Sequence, residues 1–291
     1  MDYKTSIFVV CYILFAPLIG GLLQGIDRKI SARMQRRVGP PLLQPFYDVI
    51  KLFKKQVIAV TPSQGFLLLT YFVLMVLTGA MFFAGSDILL CFFVLSTAAT
   101  FLYFAAVVSS SPYATVGSMR ELIQMLAYEP AVLLTCVGFY LAEGTFNVDE
   151  IVRSDTSAIR YLPGFFVAFV FILTIKMRKS PFDTSTSHHM HQEIVKGITT
   201  EMGAQNLALF QITEWYETVF LMGVVGLFVI NSNPISIVVA IAVVLAVYFL
   251  EILIDNSSAR VKWNLMVKSS WLVTIFAAGV NLLVLMLVYK R

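Results

Sequence analysis

The chain has 291 residues, of which 58% are hydrophobic and only 13% charged, with a formal charge of +4 and a mean hydropathy of +0.82. Soluble domains carry roughly 45–50% apolar and about 25% charged residues, so an ordinary globular enzyme is excluded. At about 20 apolar residues per crossing, the composition supports at most about eight membrane spans, and the long unalternating apolar runs exclude a β-barrel.

In chain order, the first apolar run lies in MDYKTSIFVVCYILFAPLIGGLLQ. It has no basic leader and is long for a signal-peptide core, so it reads as a retained span over 6–26. Further spans are expected at 65–85, 87–108, 121–142, 162–178, 205–230, 234–254 and 267–289. The fold expected is an all-α integral membrane protein, a single polytopic domain over 1–291, with cytoplasmic loops at about 27–64, 109–120, 179–204 and 255–266. Sixteen of the 21 Lys and Arg residues fall in or beside those four loops. By the positive-inside rule the loops are cytoplasmic, and both termini of the multi-pass chain face outward from a prokaryotic cytoplasmic membrane. Cys11, Cys91 and Cys136 lie singly in apolar runs and offer neither a disulfide framework nor a metal site.

The first connection is the most basic. Arg28, Lys29, Arg33, Arg36 and Arg37 follow the first span, and Gly39-Pro40-Pro41 then ends any helix. Beyond that break Leu42, Phe46, Val49, Ile50, Phe53 and Val57 recur at helical spacing, with Asp48, Lys51, Lys54 and Lys55 opposite, which predicts an amphipathic interfacial helix. One reading lays it among anionic headgroups. The other makes the segment a platform for a peripheral subunit, with Arg28, Arg33, Arg36, Arg37, Asp48 and Lys51 at the interface.

Carboxylates within spans need a reason, because a mid-bilayer charge costs at least about 2.5–3.5 kcal/mol. Glu121 and Glu129 fall in the fourth expected span, Glu214 and Glu217 in the sixth, and Glu251 and Asp255 at the end of the seventh. Spacings of eight and of four suggest that Glu121 with Glu129, and Glu251 with Asp255, share helix faces. Glu121, Glu251 and Asp255 also suit helix ends in headgroups or water, whereas Glu129 and Glu214 have apolar residues on both sides. Interior carboxylates whose protonation is poised near neutrality can relay protons.

Residues 176–204, KMRKSPFDTSTSHHMHQEIVKGITTEMGA, hold all three histidines, His188, His189 and His191, beside Asp183, Glu193 and Glu201. Adjacent histidines chelate one ion poorly from a regular helix, and no other His exists to complete a site, so no metal is expected. A proton-handling cluster and a plain solvated loop both fit. No phosphate-binding glycine loop occurs, and no nucleic-acid partner is expected. No pair of histidines is placed for haem ligation, so electrons, if involved, travel in other chains.

The run RKISARMQRRVGPPLLQPFYDVIKLFKK resembles the hallmark segment of the H-type membrane subunit of respiratory complex I, the NADH dehydrogenase subunit 1 superfamily. So do YEP around Glu129, SPFD at 180–183, EIVKGITTEMGAQNLALFQITEW at 193–215 and ARVKWNLMVKSSW at 259–271. After PFD, however, TSTSHHMHQE stands where complex I subunits carry an acidic run. The stretch SPFDTSTSHHMHQEIVKGITTE is similar instead to the H-type subunit of energy-converting membrane-bound NiFe hydrogenases of the Ech and Mbh type. That resemblance implies no cofactor in this chain, with iron-sulfur clusters and a NiFe centre in partner subunits. It implies ferredoxin-dependent hydrogen evolution, hydrogenase large and small subunits and a ferredoxin-like subunit on the cytoplasmic side, and an antiporter-like subunit in the lipid bilayer. It also implies that Glu129, Asp183, Glu193, Glu201 and Glu214 belong to a lateral proton path and that Arg33, Arg36 and Arg37 meet the peripheral arm. Asp27 stands where complex I subunits commonly carry Glu. The alternatives are a quinone-, methanophenazine- or sulfur-reducing relative and, from another class, a stand-alone secondary transporter.

Overall fold

A computed structural model describes residues 3–56, 61–187 and 192–288, with side chains from residue 5. The regular elements among the described residues are helices. In chain order they form α1 (Tyr3–Met34), α2 (Gln44–Phe53), α3 (Pro62–Phe83), α4 (Ile88–Val107), α5 (Pro112–Glu143) and the short α6 (Val148–Val152), then α7 (Pro163–Lys176), α8 (Ala204–Leu227), α9 (Ile235–Ser257), α10 (Trp263–Val273) and α11 (Val280–Val288). The last two are joined without a break by a π-helical stretch, Thr274–Gly279.

Proline sets several of these boundaries. Pro62, Pro112 and Pro163 each open a helix, where the missing N–H is no loss. Pro17 and Pro130 lie inside helices and leave the carbonyls four residues earlier without a backbone donor. In lipid such a group must be satisfied by the protein itself. The Tyr216 hydroxyl donates to the Ile13 carbonyl at 2.7 Å, and the Trp271 indole N–H donates to the Leu126 carbonyl at 3.2 Å. Neighbouring helices thus repair both breaks.

Among the described residues, six helical segments are long and apolar enough to cross a membrane: Thr5–Met34, Pro62–Phe83, Ile88–Val107, Pro112–Glu143, Ile235–Ser257 and Trp263–Val288. The expected spans at 162–178 and 205–230 correspond to α7 and α8 and fall outside that set. Helix α7 is apolar but 14 residues long, and α8 carries Gln205, Asn206, Gln211, Glu214 and Glu217 among its 24 residues. The helices also run past the lipid-sized windows. The 32 residues of α1 continue through Asp27 and Arg33, and the 32 of α5 begin nine positions before Glu121.

The amphipathic helix of the first connection is present as α2, but it begins at Gln44, leaving Leu42 outside, and Val57 lies outside the described residues. Pro45 and Val49 are buried, and Phe46 packs on Trp215 of α8 with ring centroids 5.2 Å apart. Tyr47, Ile50 and Phe53 are exposed. The spacing therefore indicates one continuous apolar face, whereas α2 divides its apolar residues between α8 and the outside.

Aromatic rings fill the centre of the bundle. Phe228 meets Phe139 at 4.7 Å, Phe166 at 5.3 Å and Phe169 at 6.0 Å, while Phe220 joins Phe82 and Phe92. These contacts tie α3, α4, α5, α7 and α8 together.

Candidate functional site

Much of the described part of the polar connection between α7 and α8 is buried. Lys179, Ser180, Asp183, Thr184, Ser185, Thr186 and Ser187 are all buried, as are Gln192 and Ile198 farther along. Two glycines permit this close packing. A Cβ on Gly117 of α5 would lie 2.6 Å from the Ile198 nitrogen, and one on Gly197 would lie 1.9 Å from the Ser185 carbonyl. Gly197 also has a φ of 32°, which side-chain-bearing residues rarely adopt.

Helix α7 ends at Lys176, and Arg178 then takes a left-handed φ of 51°. Its guanidinium, 9% exposed, is shared between two helices: Nη1 lies 2.5 Å from Glu214 of α8 and Nη2 lies 3.3 Å from Glu121 of α5. The other Glu121 oxygen accepts from the Ser185 hydroxyl, and the Gln124 side chain accepts from the Ser185 N–H at 2.5 Å. One turn deeper, Lys176 Nζ pairs with Glu217 at 2.9 Å, and the Tyr71 hydroxyl donates to the same carboxylate at 3.5 Å. Lys176 also lies over the Tyr128 ring, 4.4 Å from its centroid.

A second group surrounds Lys179, which pairs with Asp27 of α1 and, at 3.5 Å, with Asp255 of α9. Burial by itself would favour the neutral amine. The two carboxylates outweigh it and raise the Lys179 pKa above the ordinary lysine value. Asp255 further accepts from the Ser180 N–H at 2.7 Å. A third group closes the connection between α7 and α8: Arg260 grips Asp183 with contacts of 2.9, 3.1 and 3.0 Å, and Asp183 is 1% exposed. Beside it Arg120 pairs with Glu193 at 2.7 Å. Such forked charge-assisted bonds are the strong ones.

A cavity of about 760 Å³ opens among these groups, lined by Asp27, Arg28, Lys176, Arg178, Lys179, Glu214, Glu217 and Asp255 with Trp215, Tyr248 and Leu221. Its wall is part apolar and part ionic, so it can admit water or an amphipathic ligand beside titratable carboxylates.

The structure thus brings Glu214, Glu217, Asp183, Glu193 and Asp255 into ion pairs. Glu251 is fully buried on α9 with neither carboxylate oxygen hydrogen-bonded. Glu129 and Glu201 are half-buried and form no ion pair among the described residues. The expected common face of Glu121 and Glu129 does not form. Eight positions at 100° each leave them about 80° apart, with Glu121 inward and Glu129 toward the outer side. Glu121, Glu251 and Asp255 do not sit at solvated helix ends, since Glu121 and Glu251 are buried and Asp255 is ion-paired. His188, His189 and His191 lie outside the described residues. On the first connection Arg28 pairs with Asp48 at 2.7 Å, while Arg33, Arg36, Arg37 and Lys51 are exposed.

Sequence reasoning misses the cationic half of the site. By hydropathy and charge alone, Lys176, Arg178, Lys179, Arg120 and Arg260 serve only as topology markers. The available signal is their position within three residues of a span end or a carboxylate.

The family model described as NADH dehydrogenase matches residues 6–286. The chain is 28% identical over 301 residues to hydrogenase-4 component C of Escherichia coli (strain K12), covering 93% of each. It is 30% identical over 245 residues to the H-type subunit of the NADH-quinone oxidoreductase of Rhodospirillum rubrum, covering 76% of this chain and 72% of that one. A chain of the membrane-bound sulfane sulfur reductase, an archaeal respiratory membrane complex, has the same fold: TM-score 0.84, 24% identity, with 97% of this chain and 99% of that chain covered.

Proposed function

The chain belongs to the NADH dehydrogenase family, as a complex I-like H-type membrane subunit, and from that premise we propose that it is the membrane anchor and coupling subunit of a ferredoxin-dependent, hydrogen-evolving NiFe hydrogenase complex. In this reading it links redox chemistry in a peripheral arm to H⁺ or Na⁺ translocation through buried carboxylates. The observation that carries the reading is the Arg178 guanidinium shared by Glu121 and Glu214, one turn from the Lys176–Glu217 pair. A change of charge near the loop can be passed between these pairs because in a low dielectric each pair feels its neighbour strongly. Asp183, Glu193 and Glu201 form the cytoplasmic entrance in this scheme, with His188, His189 and His191 nearby in sequence. Glu214 and Glu217 carry the proton inward, Glu251 and Asp255 form a side branch, and Glu129 is the lateral exit.

All eight segments, α7 and α8 included, cross the bilayer in this arrangement, with both termini outside and α2 at the cytoplasmic interface. Arg28, Arg33, Arg36, Arg37, Asp48 and Lys51 face the hydrogenase large and small subunits and a ferredoxin-like subunit. An antiporter-like subunit adjoins in the membrane. The chain itself holds no cofactor; iron-sulfur clusters and the NiFe centre reside in the partners. Its extended similarity to hydrogenase-4 component C favours this reading.

A second reading, a quinone-, methanophenazine- or sulfur-reducing complex, is favoured by the part-apolar cavity beside Trp215 and Tyr248. Gentle isolation of the complex, with identification of co-purifying chains and assay of nickel and iron, separates the two. Nickel together with hydrogen evolution from reduced ferredoxin supports the first. Iron without nickel, and no hydrogen, supports the second. A chain that purifies alone and transports in liposomes contradicts both and returns the stand-alone transporter.

A further inference from the structure

Helix α9 turns Val247, Tyr248, Glu251 and Ile252 into the bundle and leaves Leu245, Phe249 and Leu253 exposed. Glu251 is fully buried, and neither of its carboxylate oxygens has a hydrogen-bond partner among the described residues. Its neighbours one turn away on the same face, Tyr248 and Asp255, both line the large cavity. Glu251 does not, so it lies behind the cavity wall.

An ionised carboxylate cannot be held there cheaply. Taken out of water without a partner, such a group takes up a proton instead. Lys179, the cation beside it, is already shared by Asp27 and Asp255. A sodium ion would not restore the balance, because hard cations take several oxygen ligands. No hydroxyl or N–H of the described residues reaches Glu251, and Val247 and Ile252 flank it on the buried face.

We propose that Glu251 holds a proton in the resting protein, as a neutral carboxylic acid, and serves as a proton store that exchanges with the cavity through Asp255. The step moves a proton from a Glu251 oxygen to an Asp255 oxygen. Asp255 becomes neutral and Glu251 negative, so the charge of the group is unchanged and Lys179 then attracts Glu251 in place of Asp255. The inference rests on the coupling role proposed above and adds the ligand of this branch, a proton and not Na⁺.

Infrared spectra of the intact complex exchanged from H₂O into D₂O test this. Wild type should show a carboxylic acid C=O band that shifts on exchange, and Glu251→Gln should lack it. The variant should unfold at the wild-type midpoint, because the amide mimics a neutral acid and no hydrogen bond is lost. Identical exchange spectra, or a clearly lowered midpoint, overturn the proposal. Replacing K⁺ by Na⁺ in the buffer should leave the band in place, and its loss would overturn the choice of proton over sodium. Asp255→Glu, which keeps the charge beside Lys179, should change the rate at which the band exchanges; an unchanged rate overturns the route through Asp255. A complex that shows the band but neither evolves hydrogen nor moves ions keeps this site and removes the coupling reading. Translocation abolished by Glu214→Gln in a complex without the band keeps that reading and removes the site.

Discussion

Lys176 and Glu217 form an ion pair of 2.9 Å with side chains only 6% and 8% exposed, joining the end of α7 to the middle of α8. A pair so deeply buried is costly to break and much less costly to replace as a unit. Lys176→Met alone or Glu217→Leu alone should destabilise the chain by ~3–5 kcal/mol, because either leaves an uncompensated buried charge. The double variant should recover most of that loss, and thermal unfolding of the purified complex measures it. Equal midpoints for the single and double variants would show that the two charges are not coupled.

Arg178 serves two carboxylates at once, at 2.5 Å and 3.3 Å. Lysine has one compact donor group and cannot span the fork. Arg178→Lys should therefore keep the charge, lower the melting temperature, and impair ion translocation more than hydrogen evolution. Translocation and hydrogen evolution that fall together would place Arg178 in assembly instead of coupling.

The grip of Arg260 on Asp183 holds the connection between α7 and α8 against the bundle. Asp183→Asn should loosen it and expose it to limited proteolysis between residues 177 and 203. Gly117→Ala should act on the same segment by steric conflict, since its Cβ would meet the Ile198 nitrogen at 2.6 Å. Its cost should be of the order of 1–3 kcal/mol. Wild-type protease resistance in both variants would contradict this role for the two contacts.

Much of this arrangement is readable in the sequence, but unevenly. Apolar runs give the long helices, and Glu129 and Glu214 stand out because each has apolar neighbours on both sides. What escapes is the burial of the cations. Counting Lys176, Arg178 and Lys179 as cytoplasmic markers treats them as solvated, whereas the chain turns inward at Arg178 and carries all three into the bundle. Glu121 is hidden for a related reason. Hydropathy starts its helix at Glu121, but Pro112 starts it nine residues earlier and moves that carboxylate well inside. Which partner each charge finds depends on contacts between residues up to 152 positions apart, as for Lys179 and Asp27, and local pattern holds no trace of them.

The raised Lys179 pKa fixes the sign of one pH effect. A lysine whose pKa is higher in the folded state contributes stability that is fully present below the ordinary value of about 10.4 and is lost as pH rises through the folded value. Between about pH 6 and pH 9 the Lys179 pairs should therefore add no pH dependence to stability. Lys179→Met should lower the midpoint at neutral pH, because Asp27 and Asp255 lose their counter-charge. A variant as stable as wild type at neutral pH would contradict the assignment.

The most direct test of the coupling role is the number of ions translocated per hydrogen evolved by the complex reconstituted in vesicles, with Glu214→Gln and Glu217→Gln compared with wild type. Loss of translocation with hydrogen evolution largely retained is the expected result. Wild-type translocation in both variants would contradict it.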